Sequence, residues 1–60
     1  MESVSSKIRK IRRENNITLK ELSERTELSV SFLSQFERGV SSITLVSLKK
    51  IAEALHITMR

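Results

Sequence analysis

Residues 18–39 read TLKELSERTELSVSFLSQFERG, and the punctuation of this stretch decides the fold. Thr18 followed by Glu21 is a capping box, in which the threonine hydroxyl accepts from the Glu21 amide while the glutamate reaches back. A helix therefore opens at Leu19, and Leu19, Leu22 and Thr26 share one of its faces. Ser29 is a good N-cap for a second helix, which runs to about Arg38 with Phe32, Leu33 and Phe36 on its apolar side. Gly39 supplies the left-handed residue that stops it. Only Glu27 and Leu28 separate the two helices, too few for an antiparallel hairpin. The helices must cross steeply, and the second can project from the body of the domain.

Upstream, Val4, Ile8, Ile11 and Asn15 recur at three- and four-residue spacing and line one stripe of a first helix, with Arg9, Lys10 and Arg13 on the far side. Asn15 and Asn16 tolerate the left-handed conformation of a helix end. Downstream, a fourth helix follows Ser41 and Ser42, capped by Thr44, with Leu45, Leu48, Ile51, Ala52 and Leu55 as its stripe, and ends near His56. The absence of proline, tyrosine and tryptophan, with a single glycine, favours an all-α chain. Sixty residues make one domain, 1–60, without internal repeat or linker. A chain this short buries only ~60% of its unfolded surface, which leaves little room for a large catalytic cleft. With no cysteine there is neither disulfide nor thiolate metal site, so the apolar core must hold the fold alone. This fits a cytosolic setting. No apolar run approaches the ~20 residues that would span a bilayer.

The chain carries a formal charge of +4, and Lys7, Arg9, Lys10, Arg12 and Arg13 fall close together, a cluster that attracts polyanions. Alone, such a cluster is equally a solvated helix face. On the third helix, about 100° per residue sets Ser31, Ser34, Gln35 and Arg38 opposite Leu33 and Phe36. Glutamine can pair bidentately with adenine, serine can bond several base edges, and an arginine at the helix end can take a phosphate or a guanine. Val30, near the start of this helix, suits a thymine methyl. The ordinary reading of that face is again solvated surface. The first-turn amides of Leu19 and Lys20 form a phosphate cradle, and the loop from Arg38 through Ser41 and Ser42 can grip backbone on the other side. Together these elements make a coherent double-stranded DNA footprint.

The segments IRKIRRE (8–14), TLKELS (18–23), LSVSFLSQFERG (28–39) and LKKIAEAL (48–55) resemble the Xre-type helix-turn-helix domain of phage repressors and Cro proteins. The resemblance implies a compact four- to five-helix, lambda-repressor-like DNA-binding domain with its helix-turn-helix at the second and third helices. It implies transcriptional regulation in bacteria or phages, with homodimers on pseudo-palindromic operators and the third helix in the major groove. By position it implies base contacts at Ser29, Val30, Ser31, Ser34 and Gln35, and phosphate contacts at Thr18, Leu19, Arg38, Ser41 and Ser42. It further implies a structural ion pair between Arg12 and Glu37, which the helical wheels also favour because Arg12 flanks the Ile8 stripe and Glu37 lies one turn after Leu33. Three residues depart from the pattern. Glu27 holds the turn position usually given to glycine, where a left-handed backbone costs a side chain on the order of 1 kcal/mol. Ile43 stands for a proline and His56 for a glycine. The lone His56, without cysteine partners, reads as a helix-end residue rather than a metal ligand or pH switch.

The expected partner is operator DNA, with no cofactor, metal, membrane or small-molecule site in this chain, and with a cytoplasmic, nucleoid-associated location. A protein-interaction module using Val30, Ile57 and Met59 is the alternative. RNA binding lacks an aromatic stacking platform. Catalysis is least supported: aspartate is absent, the seven acids are scattered glutamates, and one histidine offers no nucleophile–base pair. Family members often continue past the equivalent of Arg60 into a fifth helix, a dimerisation segment or a cupin-type ligand-sensing domain, so the chain is also read as the N-terminal part of a longer regulator.

Overall fold

A computed structural model describes residues 3–56. Four helices follow one another: α1 (Val4–Glu14), α2 (Leu19–Thr26), α3 (Val30–Glu37) and α4 (Leu45–Ala54). Ile57 and Met59, and any fifth helix, lie outside the described residues.

Each helix starts on a hydroxyl. Ser3, Thr18, Ser29 and Thr44 sit in extended backbone, and each side-chain oxygen accepts from the amide three residues on, satisfying one of the donors that a helix start leaves free. At α2 the capping box has a variation: Thr18 Oγ1 accepts from the Glu21 amide at 3.1 Å and donates to Glu21 Oε1 at 3.3 Å. The glutamate thus reaches back to the hydroxyl. Before three of these caps stands an aliphatic residue with another five positions on: Ile17 and Leu22, Leu28 and Leu33, Ile43 and Leu48. These are the positions of a hydrophobic staple, and all six side chains belong to the core or pack against it.

The helices end through left-handed residues. Asn16 (φ 56°) and Gly39 (φ 75°) reverse the chain after α1 and α3. In both, two successive amides return to the last turn, Asn16 to Arg13 and Ile17 to Arg12, then Gly39 to Phe36 and Val40 to Gln35, the paired bonds of a Schellman motif. His56 (φ 57°) follows α4, its amide donating to the Glu53 carbonyl. Glu27 is left-handed as well (φ 63°), and its neighbours hold it there. Its amide donates to the Ser23 carbonyl at 2.8 Å. Buried Thr26 donates to the Leu22 carbonyl at 2.7 Å and accepts from the Leu28 amide at 3.3 Å, while Ser23 Oγ donates to the Leu28 carbonyl. Glu27→Gly is expected to remove the side-chain strain and raise stability by about 0.5–1 kcal/mol after the added freedom of the unfolded chain is subtracted. A thermal melt followed by circular dichroism should show a rise of several degrees; an unchanged or lower Tm would mean the turn is not strained.

α2 packs against both α3 and α4, and α1 against α3. Their shared core is Ile8, Leu22, Leu33, Phe36, Ile51 and Leu55, with Thr26 and Ala52 also buried. The Cα radius of gyration is 10.3 Å, matching the ~10 Å of a packed chain this long. Two stripes need correction. On α1 the buried side chains are Ile8 and Arg12, whereas Val4 and Asn15 are exposed: the first turn overhangs the body, and a polar residue takes an inward position. On α4, Leu45 is 73% exposed, because it occupies the first turn, and Ile43 in the preceding loop packs on the core instead. Among the described residues no helix is long and apolar enough to cross a membrane.

Candidate nucleic-acid interface

The interface is built on a buried ion pair. Arg12 Nε donates to Glu37 Oε2 at 2.8 Å and Nη2 to Oε1 at 2.9 Å, a bidentate fork, while Nη1 donates to the Ile17 carbonyl at 2.8 Å. The two side chains are only 11% and 4% exposed. A buried guanidinium is tolerable because its charge is matched and its donors are aimed at acceptors. One side chain of α1 thereby ties together α3 and the loop that leads into α2. The start of α2 is held at a fixed place beside α3.

Above this pair lies a groove of about 150 Å³. Arg9 and Arg13 of α1 line one side, Ser34 and Arg38 of α3 the other, and Leu19 marks the start of α2. A phosphate group fits; a drug-sized ligand, which needs a few hundred Å³, does not. The side chain of Leu19 packs on the core, and its place in the groove marks where the first turn of α2 meets it. The first-turn amides of α2 have no acceptor within the helix, and the helix dipole adds positive potential there. Arg9, Arg13 and Arg38 are exposed. Among the described residues Arg12–Glu37 is the only ion pair, so these three cations keep their charge for an external anion.

The outward face of α3 carries the remaining polar groups. Ser31 and Gln35 are exposed, and Val30 is partly so. Ser29 caps the helix by accepting from the Phe32 amide at 3.0 Å, which leaves its proton available for donation. Ser34 is half-buried and lines the groove, next to the arginines rather than at the outermost edge of the helix. Gln35 is not free: its Oε1 accepts from Ser41 Oγ at 3.1 Å. Lys20 in the first turn of α2 and Ser42 in the loop after α3 are exposed, and Thr18 is occupied with its cap. Reasoning from sequence placed Arg9 and Arg13 on the far side of α1 and left them out of the contact set. Their i, i+4 spacing on either side of Arg12 was the available signal.

The family described as helix-turn-helix matches residues 8–60 of the chain. The chain belongs to the Xre-type helix-turn-helix family. An uncharacterised HTH-type transcriptional regulator of Sinorhizobium fredii, y4dJ, is 34% identical to this Xre-type domain over 55 residues, which cover 92% of the chain and 71% of the relative. No solved structure gives a significant match. Family membership sets the Xre-type domain among DNA-binding regulatory domains, which are not an enzyme class.

Proposed function

We propose that this domain binds double-stranded DNA sequence-specifically and regulates transcription, with α3 inserted in the major groove. The observation that carries the reading is the groove in which three uncompensated arginines surround the start of α2, directly beside the polar face of α3. Phosphate held in that groove sets the register, and base edges in the major groove meet α3. Ser29, Val30, Ser31, Ser34 and Gln35 are the base-facing set. Arg9, Arg13, Arg38, Lys20, Ser42 and the Thr18–Leu19 start of α2 hold the backbone.

The functional unit on DNA is a homodimer on a pseudo-palindromic operator. Supporting this, residues 39–48 are the longest run of the chain without a charged side chain, and Val40, Leu45 and Val46 stand largely exposed in it. In a chain of charge +4 such a neutral apolar patch lets two copies meet without like-charge contact. The patch is small, so pairing is expected on DNA, where neighbouring half-sites raise the effective concentration, and not in free solution. The location that follows is the nucleoid within the cytoplasm.

Titrating the domain with labelled duplex at 50 and 200 mM salt tests the reading. Affinity should fall steeply as counterions are released, with a log–log slope of about −3.6 per copy from the three arginines and Lys20. Failure to bind any duplex at the lower salt, or a preference for heparin over duplex, would favour the protein-interaction module instead. With an operator selected from random duplexes, Gln35→Ala should relax preference at one base pair, and Arg38→Ala should weaken all sequences alike. Identical effects of the two changes would refute the division of roles.

A further inference from the structure

Building on the DNA-binding reading, we infer that Ser41 is a positioning residue that sets the orientation of the Gln35 amide and thereby the base preference of α3. The left-handed turn at Gly39 folds the chain back over the end of the helix, so two consecutive loop residues return to one glutamine. The Val40 amide donates to the Gln35 carbonyl at 2.9 Å, and Ser41 Oγ donates to Gln35 Oε1 at 3.1 Å. Gln35 is therefore anchored by its main chain and by the tip of its side chain, although it lies on the exposed face.

The chemistry of the hydroxyl makes the assignment consequential. Serine has one proton to donate. Given to Gln35 Oε1, it is not available for a phosphate oxygen, so Ser41 holds the reading side chain and Ser42 is left as the hydroxyl that can donate to the backbone. The anchored amide still has both Nε2 protons and the second lone pair of Oε1. One N–H and one lone pair, side by side in a fixed plane, match the N7 acceptor and N6 donor on the major-groove edge of adenine. A long side chain held in this way loses less rotational freedom when it docks, and that advantage applies only to the base whose pattern it matches.

The test measures the Kd of wild type, Ser41→Ala, Ser41→Thr, Gln35→Ala and the Ser41→Ala/Gln35→Ala double variant by fluorescence anisotropy. The duplexes are the selected operator and three versions changed at the base pair whose preference Gln35→Ala abolishes. Ser41→Ala should lose about fivefold in affinity for the selected operator, the cost of ordering one long side chain on docking, and almost nothing for the three changed duplexes. Ser41→Thr, which keeps the hydroxyl, should restore discrimination. In the Gln35→Ala background Ser41→Ala should have no further effect. Equal weakening on all four duplexes, or additivity with Gln35→Ala, would overturn the inference and make Ser41 a backbone contact. A wild type that binds no duplex, or all four duplexes equally, would instead remove the DNA-reading function, and the inference with it.

Discussion

Glu37→Ala is expected to remove about half or more of the domain's folding stability at room temperature. Removing the carboxylate strands the Arg12 guanidinium, which is buried and engaged by Glu37 through two of its nitrogens. Breaking one side of a buried pair costs about 3–5 kcal/mol. A domain of this size has about 3–9 kcal/mol in total. Urea unfolding monitored by far-ultraviolet circular dichroism should therefore show either no folded baseline or a midpoint shifted to very low urea. The double change Arg12→Met/Glu37→Leu should recover most of the loss, since it leaves no uncompensated charge and fills similar volume. If Glu37→Ala melted within a few degrees of wild type, the pair would be a surface contact and not the keystone between α1 and α3.

Arg9→Ala/Arg13→Ala should have the opposite character, leaving the fold unchanged and DNA binding weakened. Both side chains are exposed and make no ion pair among the described residues, so the thermal melt should match wild type. Losing two phosphate contacts should make the salt slope shallower by about 1.8 and lower affinity at physiological salt roughly 30-fold, regardless of duplex sequence. Lys10→Ala is the control. Lys10 is equally exposed on α1 but lies outside the groove, so its removal should change the slope much less. Equal effects from Lys10 and from an arginine of the groove would mean that diffuse charge, and not the groove, attracts the DNA.

The part of the fold that local chemistry controls was legible in the sequence. Thr18, Ser29 and Thr44 cap helices where their neighbours required it, Gly39 ends α3, and the two-residue connection at Glu27 and Leu28 is as short as it looked. What escaped depended on how far a partner helix extends. Val4 and Leu45 continue apolar patterns, yet each sits in a first turn left exposed among the described residues. The more instructive case is α1. Periodicity counts apolar residues, so it centred the buried face on Val4, Ile8, Ile11 and Asn15. Admitting Arg12 as a buried member turns that face by about 50° at 100° per residue. The same turn brings Arg9 from the back of the helix to its flank, beside the groove. The Arg12–Glu37 pair was expected, but its burial was not carried into the placement of α1, and part of the candidate site was missed with it. The anchoring of Gln35 escaped for a related reason: the Gly39 stop was readable, but where Ser41 lands after it depends on the path of the reversed chain.

The Arg12–Glu37 pair also separates two things that many binding surfaces mix. It fixes the start of α2 relative to α3 from within the fold, so on the proposed reading the grip on the backbone does not depend on which side chains point outward from α3. On that reading Ser31 and Gln35 should be exchangeable while the docking pose is kept. If α3 reads DNA as proposed, a regulator and its operator can drift together one base pair at a time, and an engineer can rewrite that helix without redesigning its frame.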